Sequence, residues 1–258
     1  MKRKIYDSMQ KWKEENGRTA LLIDGARRVG KSYIAQEFAK KEYKSYILID
    51  FNRAPAEITD LFVHYLNDLN MFFLYLSNFY GVKLYERKSL IIFDEVQLFP
   101  KARAAIKYLV EDGRYDYVET GSLMTIKKNV ADIVIPSEER HMKMYPLDFE
   151  EFLWALDNDT LMDFIGLCFE EKKPMGQVLH RKTMDYFRQY LIVGGMPQAV
   201  KTYRDSHDFD QVDRVKRDIL ELYRADIEMN LRSKRMAGFQ LLDLQDYPGQ
   251  GSAYVGIL

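Results

Sequence analysis

The chain has 258 residues, 47% of them hydrophobic and 30% charged, which is ordinary globular composition with room for one large domain or two modest ones. Its 38 Lys and Arg against 39 Asp and Glu leave a net charge of -1, which removes any global argument for nucleic-acid binding. The single cysteine, Cys168, rules out an internal disulfide and suits a reducing compartment; between Leu167 and Phe169 it is expected to be a small core residue.

The basic N-terminus Lys2-Arg3-Lys4 is not followed by the apolar segment of a signal peptide. The most apolar stretch, Met71-Phe72-Phe73-Leu74-Tyr75-Leu76, is too short to span a bilayer, so a cytoplasmic protein without a membrane partner is expected. Ile5, Met9 and Trp12 share one face of a first helix, ended near Asn16-Gly17. The run Leu21-Leu22-Ile23 then reads as a buried strand leading into Gly25-Ala26-Arg27-Arg28-Val29-Gly30-Lys31-Ser32. These eight residues fit G-x-x-x-x-G-K-[ST], the phosphate-binding loop. The glycines let the backbone turn and aim N–H groups at an anion, Lys31 would reach the β- and γ-phosphates, and the Ser32 hydroxyl would ligate Mg²⁺. Ser32 to Lys40 reads as a helix, so the phosphates would meet its positive end. Gly25 to Tyr33 is therefore the expected nucleotide-binding stretch.

Ser45 to Phe51 reads as the next strand, and Ala56 to Tyr80 carries apolar residues at helical spacing up to Gly81. Ser89-Leu90-Ile91-Ile92-Phe93-Asp94-Glu95 is a continuous apolar run closing in two acids, as in a central strand of a parallel sheet. An acid pair at a strand end also suits a helix cap or a solvated turn. The upstream phosphate loop favours a Mg²⁺-supporting Asp94 and a Glu95 that orients or deprotonates the attacking water. Ala104 to Asp112 reads as a helix. Tyr115 to Thr120 reads as a strand breaking at Gly121-Ser122, where a hydroxyl could touch the γ-phosphate or belong to a plain turn. His141 to Tyr145 is a short strand; Arg140 before it is either a finger for a neighbouring copy's nucleotide or a surface residue. Strands alternating with helices imply an α/β fold with a parallel sheet.

From about Pro146 the pattern is helical only. Asp148 caps a helix through Leu156, and Leu161–Glu171, Gln177–Val193 and Phe209–Met229 follow, the last with Val212, Val215, Ile219, Tyr223 and Ile227 on one stripe. Gly194-Gly195-Met196-Pro197 is a sharp break. His64, His141, His180 and His207 have no metal-ligand spacing, and the missing N-K-x-D favours ATP over GTP.

The chain resembles a family of prokaryotic AAA-type ATPases with a C-terminal domain of unknown function. The resemblance covers about residues 1 to 235. It rests on the phosphate loop, Ile92-Phe93-Asp94-Glu95-Val96-Gln97, Thr120-Gly121-Ser122-Leu123, Tyr145-Pro146-Leu147-Asp148-Phe149-Glu150-Glu151-Phe152-Leu153 and Tyr190-Leu191-Ile192-Val193-Gly194-Gly195-Met196-Pro197. It implies a AAA-like P-loop NTPase domain over 1–147 and a helical lid over 148–235. It also implies ATP with Mg²⁺ as cofactors, a Walker A/Walker B site and hydrolysis driving a conformational change; it gives no partner, and a second copy or an unknown protein partner stays open. Lys31, Glu95, Ser122 and Arg140 are the expected catalytic residues, with Ser32 and Asp94 on the metal. Arg28 stands where the family usually has glutamine, and the segment from Ile135 to Arg140 is shorter than in relatives. The family continues further, so its C-terminal domain is expected to be cut short. Met236 to Tyr254 instead resembles a segment of β-galactosidase-like glycoside hydrolases, so the atypical tail 236–258 is expected to be either a foreign graft without carbohydrate activity or a divergent native tail. The alternatives to an ATPase are a non-hydrolysing nucleotide switch or an inactive truncated ATPase; a phosphotransferase finds no acceptor-site signal.

Overall fold

The structure is a computed structural model that describes residues 1–15, 18–122 and 138–231, with side chains through 121 and from 138 to 224 in the last two segments. The Asn16-Gly17 stop, Leu123, the segment 135–137, the side chains of Ser122 and Ile227, and the tail 236–258 therefore lie outside the described residues. The chain divides into two compact units: Lys4–Tyr145, and Met1–Arg3 together with the chain from Pro146 onward.

The Lys4–Tyr145 unit is built on a five-stranded sheet of β1 (Ala20–Gly25), β2 (Ser45–Asp50), β3 (Ser89–Asp94), β4 (Asp116–Ser122) and β5 (Glu139–Met144). The order is β2-β3-β4-β1-β5, and every neighbouring pair is parallel. β1 and β3 are buried at every position, which is why their sequences are apolar without alternation. Leu21, Ile23, Leu90, Ile92 and Val118 pack under α1 (Ile5–Glu14) and α2 (Lys31–Glu42) through Met9, Trp12, Ile34 and Phe38. The alternate residues Leu22, Ile47, Ile49, Ile91, Phe93 and Tyr117 face α3 (Ala56–His64), α4 (Leu69–Tyr80) and α5 (Pro100–Asp112). Each fully buried Ile, Leu or Phe stabilises by about 1.5–3 kcal/mol, so covering both faces is what holds a parallel sheet. The fold is α/β, a parallel five-stranded sheet flanked by helices and followed in sequence by a helical region.

Three elements differ from expectation. The Ala56–Tyr80 run is two helices, because Asp68 caps α4 by accepting the Met71 N–H at 3.1 Å. β4 does not break at Gly121-Ser122; both residues continue the ladder against Asp24 and Gly25 of β1. Cys168 is half-buried beside an exposed Leu167 and an 84% exposed Phe169, because this part of its helix presents its apolar side chains outward.

The helical unit contains α6 (Phe149–Ala155), α7 (Thr160–Glu170), α8 (Gln177–Val193), α9 (Pro197–Ser206) and α10 (Phe209–Leu231). α9 was not expected from the pattern; Pro197 starts it with a fixed φ at its first position. Leu147, Phe152, Tyr190, Val193, Val200, Tyr203 and Val212 form the core. Asp148 and Glu151 cap α6 reciprocally, and Glu151 also takes the buried Arg3 guanidinium at 3.1 Å. The Leu147 N–H donates to the Gly195 carbonyl at 2.7 Å, and the Tyr190 hydroxyl donates to the Leu147 carbonyl at 3.0 Å. A Cβ on Gly195 would overlap the Leu147 carbonyl oxygen. The two sequence stretches around Leu147 and Gly195 are thus one packed junction. Gly195→Ala should cost about 1–3 kcal/mol through this overlap, read as a lower unfolding midpoint in urea.

A buried polar group also lies in the sheet unit. Arg103 of α5 pairs with Glu139 of β5 at 3.0 Å, both side chains inaccessible. Glu119 of β4 is fully buried, and neither of its oxygens has a hydrogen-bond partner among the described residues. Burial raises its carboxyl well above the usual range, the Glu139 charge adds to this, and Arg103 opposes it. Folding therefore takes up a proton, and the stability Glu119 contributes is present below its unfolded pKa near 4.5 and falls as pH rises toward the folded value. Glu119→Gln, which fixes the neutral form, should leave stability near that of the parent at pH 4.5. At pH 8 it should raise stability by on the order of 2 kcal/mol in denaturant unfolding.

Candidate functional site

β1 delivers the chain to Gly25 at φ 151°, where any side chain would collide with the Met144 carbonyl oxygen of β5. Only glycine fits this approach. The loop then turns through Arg28 at φ 65° and Gly30 at φ 97°, and α2 begins at Lys31. Val29 is buried under the loop, while Arg27 and Arg28 are exposed on its outside. The first amides of α2 have no partner within the helix, so the loop and the helix start make a concave turn whose backbone donors are of the kind an anion takes.

Lys31 is 6% exposed and curls back across this concavity. Its Nζ donates to the Gly25 carbonyl at 3.0 Å and the Ala26 carbonyl at 2.8 Å. Burial lowers its pKa; Glu95, Asp94 and Asp24 counteract this, and Arg27 adds to it. Asp24 at the end of β1 is itself pushed up by burial, against the pull of His141, Lys143 and Lys31.

The strand order sets the rest of the geometry. β4 lies between β1 and β3, so the loop strand and the strand ending in Asp94 are about 10 Å apart. α2 and β4 close that gap. The Ser32 hydroxyl donates to Asp94 Oδ1 at 2.7 Å, and the buried Thr120 hydroxyl of β4 donates to the same oxygen. The Glu95 N–H donates to Thr120 Oγ1 at 3.4 Å. Glu95 itself sits in the left-handed region at φ 54° and starts the one-turn 3-10 helix Val96–Leu98. Its Oε2 accepts a hydrogen bond from the side-chain amide of Gln97, which is 4% exposed.

The structure thus brings together Gly25, Ala26, Gly30, Lys31, Ser32, Asp94 and Glu95. Tyr33 is exposed on the first turn of α2. The Ser122 backbone pairs with Gly25 at the sheet's carboxyl edge, but its side chain lies outside the described residues. Arg140 is elsewhere: it pairs with Leu21 of β1, roughly 13 Å along the strand from Gly25, and its guanidinium meets Glu15. From β4 the hydroxyl that reaches Asp94, beside that of Ser32, belongs to Thr120, and the side-chain amide that reaches the Glu95 carboxylate is that of Gln97. Both were legible only as neighbours of the expected residues, Thr120 in Thr-Gly-Ser and Gln97 at the end of Asp-Glu-Val-Gln. Among the described residues no cluster of His, Cys, Asp and Glu forms a ready metal cage, and no helix is long and apolar enough to cross a membrane.

The model of an AAA domain matches residues 17–153, and that of a domain of unknown function matches residues 184–242. An uncharacterized protein of Methanocaldococcus jannaschii is 22% identical over 210 residues, which cover 76% of this chain and 42% of that protein. The chain thus spans less than half the length of this curated relative. Similar solved structures include the replication initiator DnaA bound to AMPPCP and single-stranded DNA, at 14% identity and TM-score 0.47 over 84% of this chain and 65% of that one. PCH-2 of C. elegans follows at 13% identity and TM-score 0.40, over 80% and 62%. The Candida albicans Pif1 helicase has 14% identity and TM-score 0.36, over 69% and 49%. With more than half of its length matched by the domain model, over the sheet and loop described above, the chain belongs to the AAA family.

Proposed function

We propose that the chain binds Mg-ATP at this loop and hydrolyses it. The observation that carries the reading is the convergence on Asp94 of the Ser32 hydroxyl from the loop helix and the Thr120 hydroxyl from β4, with Glu95 next along the chain. The Ser32 hydroxyl and Asp94 carboxylate are hard oxygen donors of the kind Mg²⁺ takes, and their 2.7 Å contact fits that group. Bound there, Mg²⁺ would supply charge neutralisation at the phosphate oxygens.

The chain's own residues do the rest. Backbone amides of the loop and of the first turn of α2 bind phosphate oxygens, and Lys31 exchanges its two carbonyl contacts for the β- and γ-phosphates. Thr120 holds Asp94 and the Glu95 backbone in fixed register. Glu95 orients the water and accepts its proton as the O–P bond to water forms and the γ-phosphorus bond to the β-phosphate oxygen breaks, giving ADP and phosphate. Arg140 faces away from its own loop, so in this reading it would serve a neighbouring copy's nucleotide or none.

Phosphate release from Mg-ATP by the purified chain tests the proposal. Steady release supports the ATPase. Tight nucleotide binding without release would overturn hydrolysis and leave a nucleotide switch in which ATP biases the helical unit.

A further inference from the structure

We propose that Gln97 is a positioning residue that holds Glu95 in the orientation needed to activate water. This rests on the ATPase reading of the same site. Glu95 is fixed at both ends. Its N–H donates to Thr120 Oγ1, and its Oε2 accepts from the Gln97 side-chain amide. The holder is itself buried. Gln97 lies in the middle of the one-turn 3-10 helix, whose Leu98 N–H donates to the Glu95 carbonyl at 2.9 Å, with the Phe99 N–H just after it donating to the Val96 carbonyl at 3.1 Å. Val96 is fully buried and anchors that turn in the core. Glu95 adopts a left-handed backbone, unfavourable for a residue with a Cβ, and the turn that imposes it also puts Gln97 within reach. A flexible glutamate loses rate by populating several rotamers, so fixing one oxygen selects the near-attack arrangement of the other.

The experiment is a double-mutant cycle on Gln97→Met and Glu95→Gln, measured by single-turnover ATP hydrolysis, with equilibrium affinity for a non-hydrolysable ATP analogue as a readout that needs no chemistry. Methionine keeps the size of Gln97 and removes its donor. Gln97→Met is expected to lower kcat by about 10- to 100-fold with KM and analogue affinity within about twofold of the parent, and to be silent in the Glu95→Gln background. Should Gln97→Met not fold, Gln97→Asn, one methylene short of the carboxylate, carries the same expectation. Unchanged kcat overturns the proposal while Glu95→Gln still loses turnover, which leaves the ATPase reading intact. Loss of analogue affinity in parallel with kcat, or a further loss in the Glu95→Gln background, also overturns it by showing that Gln97 acts on the nucleotide site as a whole. A parent chain that binds the analogue without turnover overturns both readings.

Discussion

Lys31→Ala should lower ATP affinity by about 10²–10³-fold, or about 3–4 kcal/mol at 1.4 kcal/mol per tenfold change. Among the described residues the Lys31 ammonium is the buried charged donor at Gly25, Ala26 and the start of α2. Charge-assisted hydrogen bonds to phosphate are worth about 1.5–3 kcal/mol each, and Lys31 would make two or more. The loss should not come from unfolding. In the free chain Lys31 is held below its ordinary pKa of 10.5 chiefly by burial, so its charged form is disfavoured by the fold and alanine removes that cost. The same shift gives a pH signature. Phosphate favours the ammonium, so binding takes up a proton wherever free Lys31 is neutral. Affinity should be full below the lowered pKa and decline as pH rises through it, before reaching 10.5. Titration with a fluorescent ATP analogue between pH 7 and 10 reads both effects. Equal affinity in parent and variant would remove the phosphate-loop argument, and a flat pH profile would place Lys31 outside the binding equilibrium.

The sheet and the loop were legible in the sequence because two-sided burial leaves a direct trace. β1 and β3 must be apolar at every position, and each closes in a residue type dictated by its end: Gly25 where β5 approaches, Asp94 where Ser32 and Thr120 converge. The break between α3 and α4 was not legible, since Tyr65, Leu66 and Leu69 keep helical spacing across it, α3 ends on a backbone cap at Tyr65, and the Asp68 side chain starts the next helix. The continuation of β4 was hidden for the opposite reason. Gly121 and Ser122 read as a turn locally, but the parallel ladder against Asp24 and Gly25 outweighs local preference. Glu119 follows the strand alternation that puts its neighbours Tyr117 and Phe93 inside, and no pattern announces a carboxyl buried in that row. Within the site the sequence supplies identities and intervals, whereas contacts such as Gln97 to Glu95 depend on a left-handed turn.

Glu95→Gln should lower the rate of phosphate release by about 10²–10⁴-fold, the range lost when a positioned general base is removed, while ATP affinity stays within a few-fold of the parent. The substitution isolates basicity from shape. Glutamine has the same length, its carbonyl oxygen can still accept from the Gln97 amide, and its backbone keeps the Thr120 contact and the turn into Val96. Ser32 and Asp94 are untouched, so the residues that would hold Mg²⁺ are the same in both proteins. An equal fall in kcat and kcat/KM identifies an interaction made only in the transition state, which is what a base contributes. If affinity fell with rate, the Glu95 charge would be acting on the nucleotide ground state through its proximity to Lys31 rather than on the water. If rate were unchanged, the proton would leave by another route, and the position of Glu95 beside the Thr120–Asp94 contact would be structural, a way of ending β3 and starting the 3-10 turn.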